Sequence, residues 1–180
     1  MPQEQGDRGT ERTAEPGERA PEKKVAPLMV ERLTHLDVPA ICALYKKIGD
    51  AQAPGLPPEL IKAWAPTPLE FTSRMEGITY FAARRDGRMV GAIGCEMRQG
   101  ACHLLHLGVD PDARRQGIAT ALLGAAVEWA KRSNAPAIWI DNLTRFTAAA
   151  ALLKRLGFAE VGLLHKHEWA EDVRLYERVL

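Results

Sequence analysis

The segment His103–Thr120 reads HLLHLGVDPDARRQGIAT. Its apolar start, Leu104 to Val109, predicts a buried strand, and Asp110-Pro111-Asp112 predicts where that strand ends. Arg114-Arg115-Gln116-Gly117-Ile118-Ala119-Thr120 then leads directly into a helical pattern from Ala121 to Ala130. A strand, a short basic turn and a helix start together make an anion site. The first turn of a helix has backbone N–H groups with no internal partner, and the helix dipole adds positive potential there. Phosphate groups bind in such places. Gly117 and Ala119 carry almost no side chain, so a pyrophosphate can come close to the main chain.

Outward from this segment, the chain alternates strand and helix signals. Leu28 to Leu33 fits a first strand, and Thr34 or Asp37 fits a cap for a helix from Val38 to Lys47. Ala51 to Pro58 is a Pro/Gly-rich loop, and Pro58 to Met75 is a helical region interrupted at Pro66 and Pro68. Ile78–Arg84 and Arg88–Met97 form a hairpin around Arg85-Asp86-Gly87, and Gln99-Gly100 turns the chain into the strand ending at Val109. Ala137–Asp141 reads as a buried strand. Thr147–Leu156 reads as a helix stopped by Gly157, and Glu160–Leu164 and Val173–Val179 as two closing strands. The expected fold is an α/β chain with a mixed, largely antiparallel sheet of about seven strands and helices on both faces.

The 180 residues suit one domain, expected over 28–180, and 46% apolar residues can fill its core. Residues 1–27 are rich in Glu, Arg, Pro and Gly and read as a disordered charged tail. Twenty-four basic and 23 acidic residues give a net charge of +1, which offers no bulk attraction for nucleic acid or a membrane surface. No apolar run is long enough to span a bilayer, and the N-terminus lacks the pattern of a signal peptide. Cys42, Cys95 and Cys102 have no metal-ligand spacing, and their odd number argues for a reducing, cytoplasmic setting. His165-Lys166-His167 places two imidazoles on one strand face but has no third ligand, so no metal is assigned.

Three features resemble the GNAT superfamily of acyl-CoA-dependent N-acyltransferases. The first is the Arg/Gln-x-x-Gly-x-Gly/Ala signature, met by Arg114, Gly117 and Ala119 after the strand. The second is the order of elements. The third is Ala151 to Gly162, ALLKRLGFAEVG, which is similar to the family's late helix and "GF-x-x-x-G" strand entry. The resemblance implies acetyl-CoA as acyl donor and a sheet splayed at its site. It implies that Leu107, Gly108 and Val109 contact pantetheine, with Gly108 suiting a bulge. It implies that amides from Arg115, Gln116, Gly117, Ile118, Ala119 and Thr120 cradle the pyrophosphate, with Arg114 or Arg115 beside the phosphates. The Asn that the family often carries a turn before the late helix falls on Phe146 here, and Asn142, nearby but out of register, is the candidate in its place. Dimers are common in the family, so a homodimer is an expectation of the resemblance alone.

The implied reaction is direct acetyl transfer to a primary amine, on a small molecule or a peptide. Such a reaction needs a base, because an ammonium has no lone pair. Relatives often carry a Glu early on the signature strand. Here Ala101 and His103 occupy that neighbourhood, and histidine as a residue type exchanges protons near neutrality. His103 reads equally as a base or as a strand-end His in a polar turn. His106 has opposite strand parity unless a bulge re-aims it, and Glu96 on the preceding strand is a third candidate. The family's usual acid, a Tyr four residues before the Gly of "GF", is replaced by Leu153. That departure leaves a second reading open, an acyl-CoA-binding module without turnover that acts as a sensor. Tyr176 reads as core; Trp64, Phe71, Trp139 and Trp169 are aromatics that could line an acceptor pocket, with Trp139 reading rather as core; Glu168, Glu171 and Asp172 read as solvent-facing or as an acidic site for a cationic amine.

Overall fold

The computed structural model describes residues 26–180. The tail expected over 1–27 lies outside them, apart from Ala26 and Pro27. The chain runs β1 (Met29–Arg32), α1 (Val38–Gln52), α2 (Pro58–Trp64), α3 (Pro68–Arg74), β2 (Thr79–Arg85), β3 (Arg88–Arg98), β4 (Ala101–Val109), α4 (Ile118–Arg132), β5 (Ala137–Leu143), α5 (Thr147–Arg155), β6 (Ala159–Glu168) and β7 (Glu171–Val179). The helical region expected over Pro58–Met75 is two helices, divided where Pro66 and Pro68 break the hydrogen-bond ladder. Thr67 caps the second of them: its hydroxyl accepts from the Glu70 amide, while the Glu70 carboxylate accepts from the Thr67 amide.

The strands form one seven-stranded sheet in the order β1-β2-β3-β4-β5-β7-β6. Every neighbouring pair is antiparallel except β4 and β5. The two faces bury different residues because side chains alternate along each strand. On one face α4 and α5 pack over Phe81, Ile93, Leu104, Ile138 and Tyr176. The buried stripe of α4 (Ile118, Leu122, Ala126, Ala130) recurs every four residues and makes this contact possible. On the other face α1 and α3 cover Tyr80, Ala82 and Ala92 through Ile41, Leu44, Tyr45 and Phe71. Cys95 and Cys102 are free, buried and adjacent across the β3–β4 hairpin, as their spacing suggested. Among the described residues no helix is long and apolar enough to cross a membrane.

Two features of the centre of the sheet shape the surface around β4. First, β4 and β5 pair over only three positions, Cys102–Leu104 against Ile138–Ile140. Beyond these, β4 stays with β3 up to Val109, while β5 stays with β7 up to Leu143. The sheet therefore forks between its fourth and fifth strands. Second, β4 carries one residue more than β3 between the pairs Gly94↔Leu105 and Ala92↔Gly108. That bulge falls at His106, which has φ of 55°. The expectation that Gly108 serves the bulge is corrected. Gly108 is needed because α1 presses on the strand: a Cβ there would stand 2.8 Å from Ile48 Cδ1 and 3.2 Å from Tyr45 Cε1. Gly91 does the same service under α4, where a Cβ would stand 2.8 Å from Ile118 Cγ2 and 3.0 Å from the Gly108 carbonyl oxygen. The start of α4 thus sits directly on the sheet.

Candidate active site

The strand, turn and helix follow in the order the sequence predicts, but α4 begins at Ile118 rather than Ala121, so Ile118–Thr120 form its first turn. Arg114, Arg115, Gln116 and Gly117 are exposed, and Gly117 takes φ of 78° at the helix start, with no side chain capping the free amides. No atom lies within 4 Å of where a Gly117 Cβ would stand. The amides of Gly117, Ile118, Ala119 and Thr120 belong to an open, electropositive helix end. Arg85 donates to the Gln116 side chain, which anchors the loop to the β2–β3 hairpin. Lys47 ties α1 to the same side through Asp110 at 2.6 Å and Asp112 at 2.7 Å.

At the fork, the bulge changes strand parity. Leu107 and Val109 pack toward the α4 face, and Gly108 lies under α1. Asn142 on β5 lies just past the last residue paired with β4, and its side chain donates to the Phe146 carbonyl at 3.3 Å. This bond closes the turn into α5 and is the contact its side chain makes. On α5, Leu153 is 1% exposed and sits in the core. Tyr176 is fully buried in the same core, as expected.

The other face of the fork holds a polar cluster. His103 is the third residue of β4, only 7% exposed, and is no strand-end residue. Its ring stacks on Trp139, its register partner across the parallel pair, with centroids 3.7 Å apart and planes 6° from parallel. Trp139 is therefore not plain core, which corrects the sequence reading. Together with Arg98, Gln99 and Ala101 it lines a cavity of about 420 Å³. His103 Nε2 lies 2.8 Å from Asp141 Oδ1, and its Nδ1 lies 3.9 Å from Glu96 Oε2. Glu96 is the residue opposite His103 on β3, so the two share a face by register. Nδ1 is buried and has no hydrogen-bond partner among the described residues. The imidazole is thus held between two part-exposed carboxylates.

Burial works to raise the Asp141 carboxyl, but the hydrogen bond and charge of His103 outweigh it and hold it below the ordinary carboxylate range. Glu168, at the end of β6, is part-buried beside Asp141, so the reading of it as solvent-facing is also corrected. Burial, and then the Asp141 charge, push its carboxyl up. Glu171 instead pairs with Arg145, and Asp172 accepts from the Lys166 amide. Phe71 is core and Trp64 packs on Phe146, while Trp169 is exposed at the β6–β7 turn.

His106 joins this face because the bulge re-aims it. Its Nδ1 lies 2.7 Å from the Tyr80 hydroxyl, and Tyr45 donates to its carbonyl at 2.7 Å. Burial and the Arg74 charge push the His106 ring down to about 4 from an ordinary 6.5. The native ring therefore binds fewer protons than the unfolded one across this interval, so stability falls as pH drops from 6.5 toward 4. The loss reaches at most ~3 kcal/mol. Urea midpoints measured across that interval should fall more steeply for the wild-type protein than for His106→Gln, which has no imidazole to charge. Equal slopes would contradict the burial.

Asp141 and Tyr80 are the cluster residues that sequence reasoning missed. A carboxylate ending the apolar run AIWID was a usable signal for Asp141. Nothing local marked Tyr80.

The sequence profile of the acetyltransferase (GNAT) family matches residues 38–158, which includes the loop before α4 and, of the polar cluster, Glu96, His103, His106, Trp139 and Asp141. The chain belongs to the acetyltransferase (GNAT) family. Human N-acetyltransferase 8B is 29% identical over 106 residues, covering 56% of this chain and 47% of the relative. The chain thus spans about half the length of the curated relatives it matches first. Among solved structures, the ribosomal-protein-S18-alanine N-acetyltransferase from Escherichia coli superposes with a TM-score of 0.70 at 21% identity, covering 85% of this chain and 94% of the other. The PaiA N-acetyltransferase from Thermoplasma acidophilum, in complex with coenzyme A, gives 0.71 at 15% identity and covers 86% and 99%. The mixed sheet and its helices are those of the GNAT fold.

Proposed function

We propose that the protein is an N-acetyltransferase that moves the acetyl group of acetyl-CoA directly to a primary amine entering as a cation. The observation that carries the reading is His103 fixed between Glu96 and Asp141 at the fork of the sheet. The residues present fit the donor. Gly117 leaves open space over a free helix end, and the fork leaves the β5 side of Leu107–Val109 without a strand partner. The amides of Gly117 to Thr120, with Arg114 and Arg115 nearby, would hold the diphosphate. The freed main chain of Leu107 to Val109 would hold the pantetheine arm, with Asn142 across the fork. When bound, acetyl-CoA supplies an activated acyl carbon.

The chain's own residues do the rest. Glu96, Asp141 and Glu168 give the open side of the cluster a negative field, which draws an ammonium in. Asp141 accepts from His103 Nε2–H, and that bond sets the tautomer and leaves the Nδ1 lone pair free toward Glu96. Once Nδ1 takes a proton, both ring N–H groups face carboxylates. The same orienting logic activates nucleophiles elsewhere. The cavity beside Trp139 is of the size that holds a small molecule or one terminal residue of a peptide. Its size admits either acceptor, and the E. coli structural relative is named for a ribosomal-protein alanine.

Leu153 in the core favours the second reading, an acyl-CoA-binding module without turnover, because α5 offers no acid. Calorimetry with acetyl-CoA, followed by transfer assays over a panel of primary amines and peptides, separates the two. Micromolar binding with transfer to a cationic amine is expected. Binding with no transfer to any amine would favour the sensor, and no binding would remove both.

A further inference from the structure

We propose that His106 is a neutral hydrogen-bond donor to the thioester carbonyl oxygen, with its ring fixed in the Nε2–H tautomer by Tyr80. The inference rests on the acetyltransferase reading and assigns it the group that polarises the acyl carbon.

His106 is three residues from His103, so regular alternation would put the two on opposite faces of β4. The extra residue in the strand, with His106 at φ of 55°, turns both to one face. A non-glycine residue there is uncommon and needs support. Tyr45 on α1 provides it by donating to the His106 carbonyl at 2.7 Å. On the ring side, the Tyr80 hydroxyl lies 2.7 Å from Nδ1, and the two rings are 5° from parallel with centroids 5.9 Å apart.

Tyr80 is 1% exposed and makes no other side-chain hydrogen bond among the described residues. A buried hydroxyl left without an acceptor is costly, so its proton goes to Nδ1. A neutral imidazole that accepts at one nitrogen carries its proton on the other. Nε2 has no partner among the described residues, and His106 is part-exposed on the stretch of β4 that has parted from β5. The open N–H is therefore at the fork, where the acyl group would lie.

The groups facing the ring are Tyr80 from β2, Tyr45 from α1, Arg74 from α3, His103 from β4 and Asp141 from β5. Burial and the Arg74 and His103 charges disfavour a protonated ring, and Asp141 opposes them less strongly. A neutral imidazole N–H does not give up its proton in this step. It stabilises charge growing on the carbonyl oxygen while the amine lone pair forms the C–N bond and the C–S bond breaks with its electron pair on sulfur. The entering ammonium first gives one proton to the His103 cluster, which passes it to water, and the second proton leaves the nitrogen for the same cluster as the C–N bond forms. The thiolate leaves as an anion, which a thiol of ordinary acidity allows. The lack of an acid at Leu153 on α5 is then no obstacle.

The test uses His106→Gln, whose amide nitrogen reaches the place of Nε2, and His106→Asn, whose amide reaches only that of Nδ1. NMR of the imidazole nitrogens in the wild-type protein should give a neutral Nε2–H ring at neutral pH, and Tyr80→Phe should release a mixture of tautomers. The infrared carbonyl stretch of bound acetyl-CoA should lie lower in the wild-type protein and His106→Gln than in His106→Asn. Turnover should fall ~10²–10³-fold in His106→Asn only. A protonated or Nδ1–H ring, or one carbonyl stretch in all three proteins, overturns the proposal while leaving acetyl-CoA binding intact. Failure of the wild-type protein to bind acetyl-CoA overturns the acetyltransferase reading and this assignment with it.

Discussion

Replacing His103 by Gln should lower kcat/KM for acetyl transfer by ~10²–10⁴, the range a positioned base contributes. Acetyl-CoA affinity should stay as it was, because His103 is the third residue of β4 and the helix start at Gly117 lies beyond the other end of that strand. Asp141→Asn should produce a loss in the same range by another route. An amide at this place can donate to Nε2, which would move the ring proton to Nδ1 and leave no lone pair toward Glu96. Trp139 holds the ring by stacking, so thermal melting of each variant checks that the strands remain in place. An unchanged kcat/KM in His103→Gln would remove the imidazole from the reaction and leave Glu96 as the remaining candidate.

Gly117→Glu should abolish acetyl-CoA binding in calorimetry. Two effects act together. A carboxylate at the helix start opposes the diphosphate that the free amides attract. A side chain at φ of 78° also strains the main chain, at a cost of ~1–2 kcal/mol. Nothing stands within 4 Å of the new Cβ, so the strain is local and the fold survives. Gly117→Asn separates the two effects, since Asn tolerates the left-handed region and carries no charge. It should bind more weakly than the wild-type protein but far better than Gly117→Glu. Retained binding in Gly117→Glu would mean that the diphosphate lies elsewhere.

The loop proposed to hold the diphosphate was legible residue by residue as a piece of structure. A strand, a Pro turn, a small-residue loop and a helix follow one another locally, so Arg114 to Thr120 needed no tertiary information. The acceptor side was legible only in part. His103, Glu96 and His106 could be named as candidates, but their relation could not. Glu96 meets His103 through the β3–β4 register, which the Gln99-Gly100 turn hinted at. Asp141 and Trp139 meet His103 through a parallel pairing that spans an intervening helix, and no local pattern encodes that register. Leu153 departs from the family pattern in the sequence alone, and its place in the core means that α5 offers no acid there.

By itself the sequence determined the order of elements, the uncapped helix start at Gly117 and the resemblance to the family, because each depends on spacing along a continuous stretch. Only the tertiary structure decided where the sheet forks, that one extra residue in β4 turns His106 to the face of His103, and that Tyr80 and Asp141 set the two imidazoles. Those outcomes depend on strand registers and on the close approach of α1 and α4 to Gly108 and Gly91, contacts between residues far apart in the chain.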